Sequence, residues 1–384
     1  MSDVFVLGIV FLLICFTLST FVLTRIQTDI FPEEYEFKLD PFWYLFIIFL
    51  ITSVCVSYFQ PAGFDTVKTY TVWSFAVPVI FSALIYLCYL LDIAWVANLM
   101  TYLLALCIAF MQPDTFVLFP DYFTPLQDKF IVALLILLVS KGLGYLNGSG
   151  GIAASQFVVV LLTAFILTYF GVLPQILGSI ALAYMGIMLA FTFLSWPPEK
   201  IMMSNGAFSA LGFILACFMI DASVEFSDAS MFIAAAYLFT ELGCVLYNRF
   251  ILNQPREYWF MNTFYYRLLE LGASEKTVAF SIAKILLVNI LLAIFQIAAY
   301  ERLALPVFSV AFNLWLLSIL SGDTKPEELL SFSKWGKNVV KGVLAKNKNH
   351  SQTEPVDENV TDKLDVKTKT TKKRKPRKKK TLTD

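Results

Sequence analysis

The chain has 384 residues, 58% of them hydrophobic and only 15% charged, with a mean hydropathy of +0.71. That balance excludes an ordinary water-soluble domain, whose surface carries far more charge. Lys plus Arg and Asp plus Glu each number 29, and the resulting zero net charge averages a mildly acidic body with a strongly basic tail.

Apolar runs recur along the chain, each of about 18 to 22 residues and so long enough to cross roughly 30 Å of hydrocarbon. The first, 4–24, is too long for a signal-peptide core. It has no basic residue before it and ends at Arg25 without a small-residue cleavage site, so it reads as a span. Further runs lie near 42–60, 70–91, 93–112, 129–146, 152–171, 175–196, 207–220, 231–252, 277–298 and 303–320. The sequence therefore predicts an all-α, polytopic transmembrane bundle of about eleven spans over 1–321, because lipid cannot satisfy an open backbone. The run 207–220 is short and has room to extend into the loops beside it.

Polar residues inside this body are few, and buried ionisable groups in a membrane are candidates for function. Asp92 stands at the junction of the third and fourth spans. A glycine-rich turn follows the fifth, with Lys141, Asn147, Gly148, Gly150 and Gly151. Such turns cradle phosphate through backbone N–H groups or simply let the chain re-enter the membrane. Between the seventh and eighth spans a polar turn holds Glu199, Lys200, Ser204, Asn205 and Gly206, and the small residues Ala207, Ser209, Ala210 and Gly212 follow it. Small residues let helices approach closely.

Glu241 lies inside the ninth run and Lys284 inside the tenth; a mutual ion pair or contact with backbone would satisfy them structurally. Asn289 and Asn313 suit helix cross-links. The loop 253–276 is rich in aromatic residues, including Tyr265 and Tyr266, and carries Asn262, Arg256 and Arg267. All six cysteines fall in apolar runs and read as small apolar filler.

Loop charges set the orientation. One alternating set of loops holds Arg25, Lys38, Lys141, Lys200, Arg249, Arg256, Arg267 and Lys276; the other holds Lys68, Lys129 and Arg302. The positive-inside bias places the first set and the C-terminus in the cytoplasm, in the inner membrane, with the N-terminus outside. Residues 322–347 follow as a basic amphipathic helix for the membrane surface, with Leu329, Phe332, Trp335 and Val339 on one side and Lys334, Lys337 and Lys341 on the other. Residues 348–384 form a polar, disordered tail ending in the lysine-rich block 372–380. Anionic lipid headgroups are its expected partner. No aromatic residues interleave with the block, which argues against a specific nucleic-acid reader.

Three stretches, in this order and spacing, resemble the polyprenyl-phosphate N-acetylhexosamine-1-phosphate transferases. These include the phospho-N-acetylmuramoyl-pentapeptide translocase and the undecaprenyl-phosphate N-acetylglucosamine-1-phosphate transferase. The stretch 267–274 (RLLELGAS) is similar to the family's RLL-x-LG-x-S pattern. The stretch 200–206 (KIMMSNG) is similar to its K-[VI]-F-M-G-D-[AS]-G turn, and 147–153 (NGSGGIA) to its D-G-x-D-G-[LI]-A. The resemblance implies ten or eleven spans, a cytoplasmic site, homodimers, and Mg²⁺-dependent transfer of a sugar-1-phosphate from a UDP-sugar to a lipid phosphate.

The departures are systematic. Asn147 and Gly150 stand for the family's aspartates, Asn205 for its M-G-D aspartate, and Asn262, Phe264 and Tyr265 for its histidines. Its aspartate pair corresponds at best to Leu91 and Asp92. Mg²⁺ needs hard anionic oxygens, which asparagine and glycine do not supply. The sequence therefore predicts a degenerate transferase with no metal cofactor. It would bind or scaffold lipid-linked glycan intermediates such as polyprenyl phosphate in envelope polysaccharide assembly, as a homodimer or beside an active sugar transferase. The anion-binding candidates are Asn147, Gly148, Gly150, Gly151, Lys200, Asn205, Gly206, Asn262, Tyr265, Tyr266 and Arg267. The alternative is an active, Mg²⁺-dependent enzyme rebuilt around Asp92 and Glu241; a lipid-handling or transport protein is the third reading.

Overall fold

A computed structural model describes residues 2–29, 41–58, 65–112, 118, 123–146, 151–197, 201–226, 229–250, 263–270, 273–299 and 304–321. The amphipathic segment 322–347 and the tail 348–384 lie outside the described residues.

Among the described residues every regular element is an α-helix. In chain order they are α1 (Ser2–Asp29), α2 (Phe42–Tyr58), α3 (Asp65–Leu90), α4 (Ala94–Met111), α5 (Pro125–Leu146), α6 (Ile152–Tyr169), α7 (Gln175–Ser195), α8 (Asn205–Phe226), α9 (Ser230–Ala234), α10 (Ala236–Phe250), α11 (Phe264–Glu270), α12 (Glu275–Ala299) and α13 (Ala304–Ser321). Five stretches are long and apolar enough to cross a membrane: Pro125–Leu146, Ile152–Tyr169, Gln175–Ser195, Asn205–Ser223 and Glu275–Gln296. Shorter apolar stretches occur in α1, α2, α3, α4, α10 and α13.

Helices α6, α7 and α8 form the centre. Helix α8 lies along α5 and α3, and α7 along α6 and α1. Small residues make these approaches possible. A Cβ on Gly212 would come within 2.8 Å of the Ser140 Cα, so α5 and α8 touch backbone to backbone there. The Ser140 hydroxyl donates to the Ser209 carbonyl at 2.6 Å and fixes the register of that pair. The outer helices leave large apolar side chains exposed, among them Leu13 and Phe21 on α1, Trp95 on α4 and Phe295 on α12. A surface of that kind suits lipid rather than water.

Several hydroxyls within the bundle are satisfied by their own helix. The hydroxyls of Ser53, Thr101, Thr163, Thr168 and Thr240 each donate to the carbonyl four residues earlier. Asn289 and Asn313 cross-link α12 and α13 as expected, with one amide bond at 2.9 Å.

One element extends as the sequence reading allowed, and two depart from it. Helix α8 runs from Asn205 to Phe226 and takes up residues on both sides of the predicted span. The ninth run is broken at Ala235 into α9 and α10. There the buried Gln156 of α6 donates to the Ala234 carbonyl at 2.9 Å, and a side chain inserted into the ladder is a known cause of a kink. The loop 253–276 contains α11, a short helix packed against α12 and α13.

Candidate functional site

The C-terminal ends of α3, α5 and α7 and the N-terminal ends of α4, α6 and α8 share one face of the bundle, the face with the expected cytoplasmic orientation. Lys141 on α5 donates through Nζ to the Tyr89 hydroxyl on α3, and the ammonium lies 4.7 Å from the centre of that ring. The Tyr89 hydroxyl in turn donates to Asn98 Oδ1 on α4 at 3.4 Å. Gly206 permits this arrangement, because a Cβ there would fall 2.7 Å from the Tyr89 Cβ and Cγ. The turn 201–204 ends in a capped helix start: Ser204 Oγ accepts from the Ala207 N–H at 3.2 Å. Asn205 follows in the first turn of α8, with its side chain exposed and its carbonyl 3.0 Å from where a Gly144 Cβ would stand.

The structure thus brings Gly206 and Lys141 together on Tyr89, with the Asn205 carbonyl beside Gly144. Gly151 has a left-handed backbone, φ 77°, packed against Ser195 at the end of α7. It supports the reading of a tight re-entry turn, since only glycine takes that conformation without penalty. Asn147, Gly148, Gly150, Lys200 and Asn262 lie outside the described residues.

Glu241 is buried on α10, and both carboxylate oxygens are engaged. Oε1 accepts from the Tyr237 hydroxyl at 2.6 Å, one helical turn earlier. Oε2 accepts from the Phe264 backbone N–H at 3.2 Å and ties the start of α11 to α10. Of the two structural expectations for Glu241, contact with backbone is the one observed; Lys284 is exposed on α12. Tyr265 is buried, while Tyr266 and Arg267 fall on α11.

The stretch 267–274 also has a structural account. It ends α11, where the Ala273 N–H returns to the Leu268 carbonyl at 3.0 Å. Ser274 Oγ then accepts from the Thr277 N–H at 3.3 Å and caps α12.

Asp92 ends α3. Its φ is 56°, its N–H donates to the Tyr89 carbonyl at 3.0 Å, and the Ile93 N–H donates to the Cys88 carbonyl at 3.3 Å. These bonds make a Schellman motif with Asp92 at its left-handed position, where aspartate is tolerated better than most residues. Its side chain is exposed and Glu241 is buried on a different helix pair. No group of three or more His, Cys, Asp and Glu side chains able to hold a metal occurs among the described residues.

Compared with protein-family models the chain matches none, and no curated protein sequence matches it. Tyr89 and Asn98 are the site residues that sequence reading missed. Both sit in apolar helices where a tyrosine or asparagine carries no motif, and only the fold places them beside Lys141. The pairing of Tyr237 with Glu241 was visible in principle, since four residues is one helical turn.

Proposed function

We propose that this protein is a non-catalytic relative of the polyprenyl-phosphate sugar-1-phosphate transferases, an eleven-span inner-membrane bundle that binds a lipid-linked phosphate at its cytoplasmic face. The single observation that carries this reading is the engagement of Glu241. A carboxylate held by Tyr237 and by the Phe264 N–H has its lone pairs directed at the fold rather than at a metal. Asp92, the other acidic candidate, is accounted for as a helix terminator. Beside the turn stand Lys141, Asn205 and Gly206, with Lys200 next to Glu199 in the turn itself and Arg267 on α11. Such a set attracts a phosphate without assembling the charge that phosphoryl transfer requires.

The test uses the full chain in detergent. Transfer of a labelled UDP-N-acetylhexosamine to undecaprenyl phosphate is measured with and without Mg²⁺, and binding of undecaprenyl phosphate is measured alongside. The expected outcome is no metal-dependent product, with binding retained and weakened by Arg267→Ala. Metal-dependent product that disappears in Asp92→Asn would overturn this reading in favour of an active enzyme with a rebuilt site.

A further inference from the structure

Between α4 and α5 the bundle surface opens into an apolar groove of about 440 Å³, lined by Tyr102, Phe130, Ile131, Leu134 and Leu137. Phe130 and Leu134 are exposed, so the groove is entered from the lipid side of the bundle. Its position relative to the polar cluster follows from helix geometry. At about 100° per residue, Phe130, Leu134, Leu137 and Lys141 fall within about 60° of one another on α5. On α4, Asn98 and Tyr102 are one turn apart on a common face. The groove's lining therefore ends one turn short of Lys141 on α5 and one turn short of Asn98 on α4.

The geometry points to a binding site for one anionic phospholipid of the surrounding bilayer, with an acyl chain in the α4–α5 groove and its phosphate at Lys141. Three observations carry this. The first is charge. Among the described residues the partner of the Lys141 ammonium is a neutral phenol, Tyr89. An ammonium has three donors, so two stay available for phosphate oxygens. A cation set in a spanning helix beside a neutral partner is costly, and an anionic headgroup offsets that cost.

The second observation is polarity. Lys141 stands one turn beyond the last lining residue on α5, and the lining side chains are apolar or aromatic, which suits an acyl chain below a phosphate; Lys129, at the opposite end, lies 5.5 Å from the Phe110 ring. The third is length. From Phe130 to Lys141 the helix rises about 16 Å, close to half of a roughly 30 Å hydrocarbon core and so to the depth reached by one acyl chain. A long polyprenyl chain would overrun it. This site shares Lys141 with the proposed polyprenyl-phosphate site but uses neither Arg267 nor the turn at 147–151, so it stands even where the transferase-like reading fails.

Native mass spectrometry of the full chain tests the proposal, with phosphatidylglycerol and phosphatidylcholine titrated separately. The wild-type chain is expected to hold one phosphatidylglycerol about fivefold more tightly than phosphatidylcholine, the preference one lysine near a headgroup provides. Lys141→Gln should abolish the preference and Lys141→Arg should keep it. Leu134→Trp should fill the groove and weaken both lipids without changing the melting temperature in detergent. Equal affinity for the two lipids in the wild-type chain would overturn the proposal. So would an undiminished preference in folded Lys141→Gln. Arg267→Ala should leave phosphatidylglycerol binding intact, which separates failure of this site from failure of the polyprenyl-phosphate reading.

Discussion

Glu241 is a buried carboxylate whose two oxygens join its own helix, through the Tyr237 ring one turn earlier, to the start of α11. Removing it leaves a phenol and a backbone N–H buried without an acceptor, and each such orphan costs about 1–3 kcal/mol. Glu241→Ala should therefore destabilise the bundle by about 2–5 kcal/mol, while Tyr237→Phe, which leaves the carboxylate its other partner, should cost about 1–2 kcal/mol. Reversible unfolding in mixed micelles reads both. A loss below about 0.5 kcal/mol for Glu241→Ala would mean that the carboxylate is not a structural clamp and is free for chemistry. At this scale the sequence is half legible. A glutamate in an apolar run announces itself, and its partner at four residues follows from the helix period. Phe264, 23 residues away across a loop, is found only in the fold.

The α5–α8 seam shows what small residues do at the scale of an element. Gly212 faces the Ser140 backbone so closely that a Cβ would sit 2.8 Å from one atom and 2.9 Å from the next. Backbone cannot yield as the far end of a side chain can, so Gly212→Ala should force the helices apart and cost about 1–3 kcal/mol. Gly243 on α10 has no atom within 4 Å of its Cβ position, and there alanine should be neutral or stabilising by up to about 1 kcal/mol. Parallel unfolding curves for the two variants check the contrast; equal losses would show that helix propensity, not the seam, sets the effect. The small-residue run after Asn205 made this seam readable from sequence, because only close packing explains such a run in a span. The break at Ala235 was not readable. Nothing in the ninth run interrupts a helix, and the cause, Gln156, belongs to another helix. The capped helix starts at Ser204 and Ser274 stood in plain sight as serines ahead of apolar runs. They also account physically for parts of the two stretches that carried the family resemblance.

For the whole molecule, the apolar surface and the charge asymmetry together decide how the bundle sits. The exposed apolar residues of α1, α4 and α12 direct its sides toward lipid but do not distinguish one end from the other. Loop cations do. They favour the set that includes Lys141, Lys200, Arg249 and Arg267 over the set holding Lys68, Lys129 and Arg302. The basic block 372–380 adds to the same side, since moving it across the membrane would oppose the positive-inside bias and forgo about 1 kcal/mol per basic residue of attraction to an anionic inner leaflet. A green fluorescent protein joined to the C-terminus should therefore fluoresce, and an alkaline phosphatase joined there should be inactive. The same phosphatase joined after 1–68, in the first turn of α3, should be active. An active phosphatase at the C-terminus would invert the bundle, and it would carry Lys141, Asn205 and Gly206 to the face opposite any UDP-linked or cytoplasmic partner. The orientation of the cationic face and the proposed phosphate chemistry therefore stand or fall on one pair of fusions, because a lipid phosphate presented on the cytoplasmic leaflet can meet Lys141 only if the charged loops stay inside.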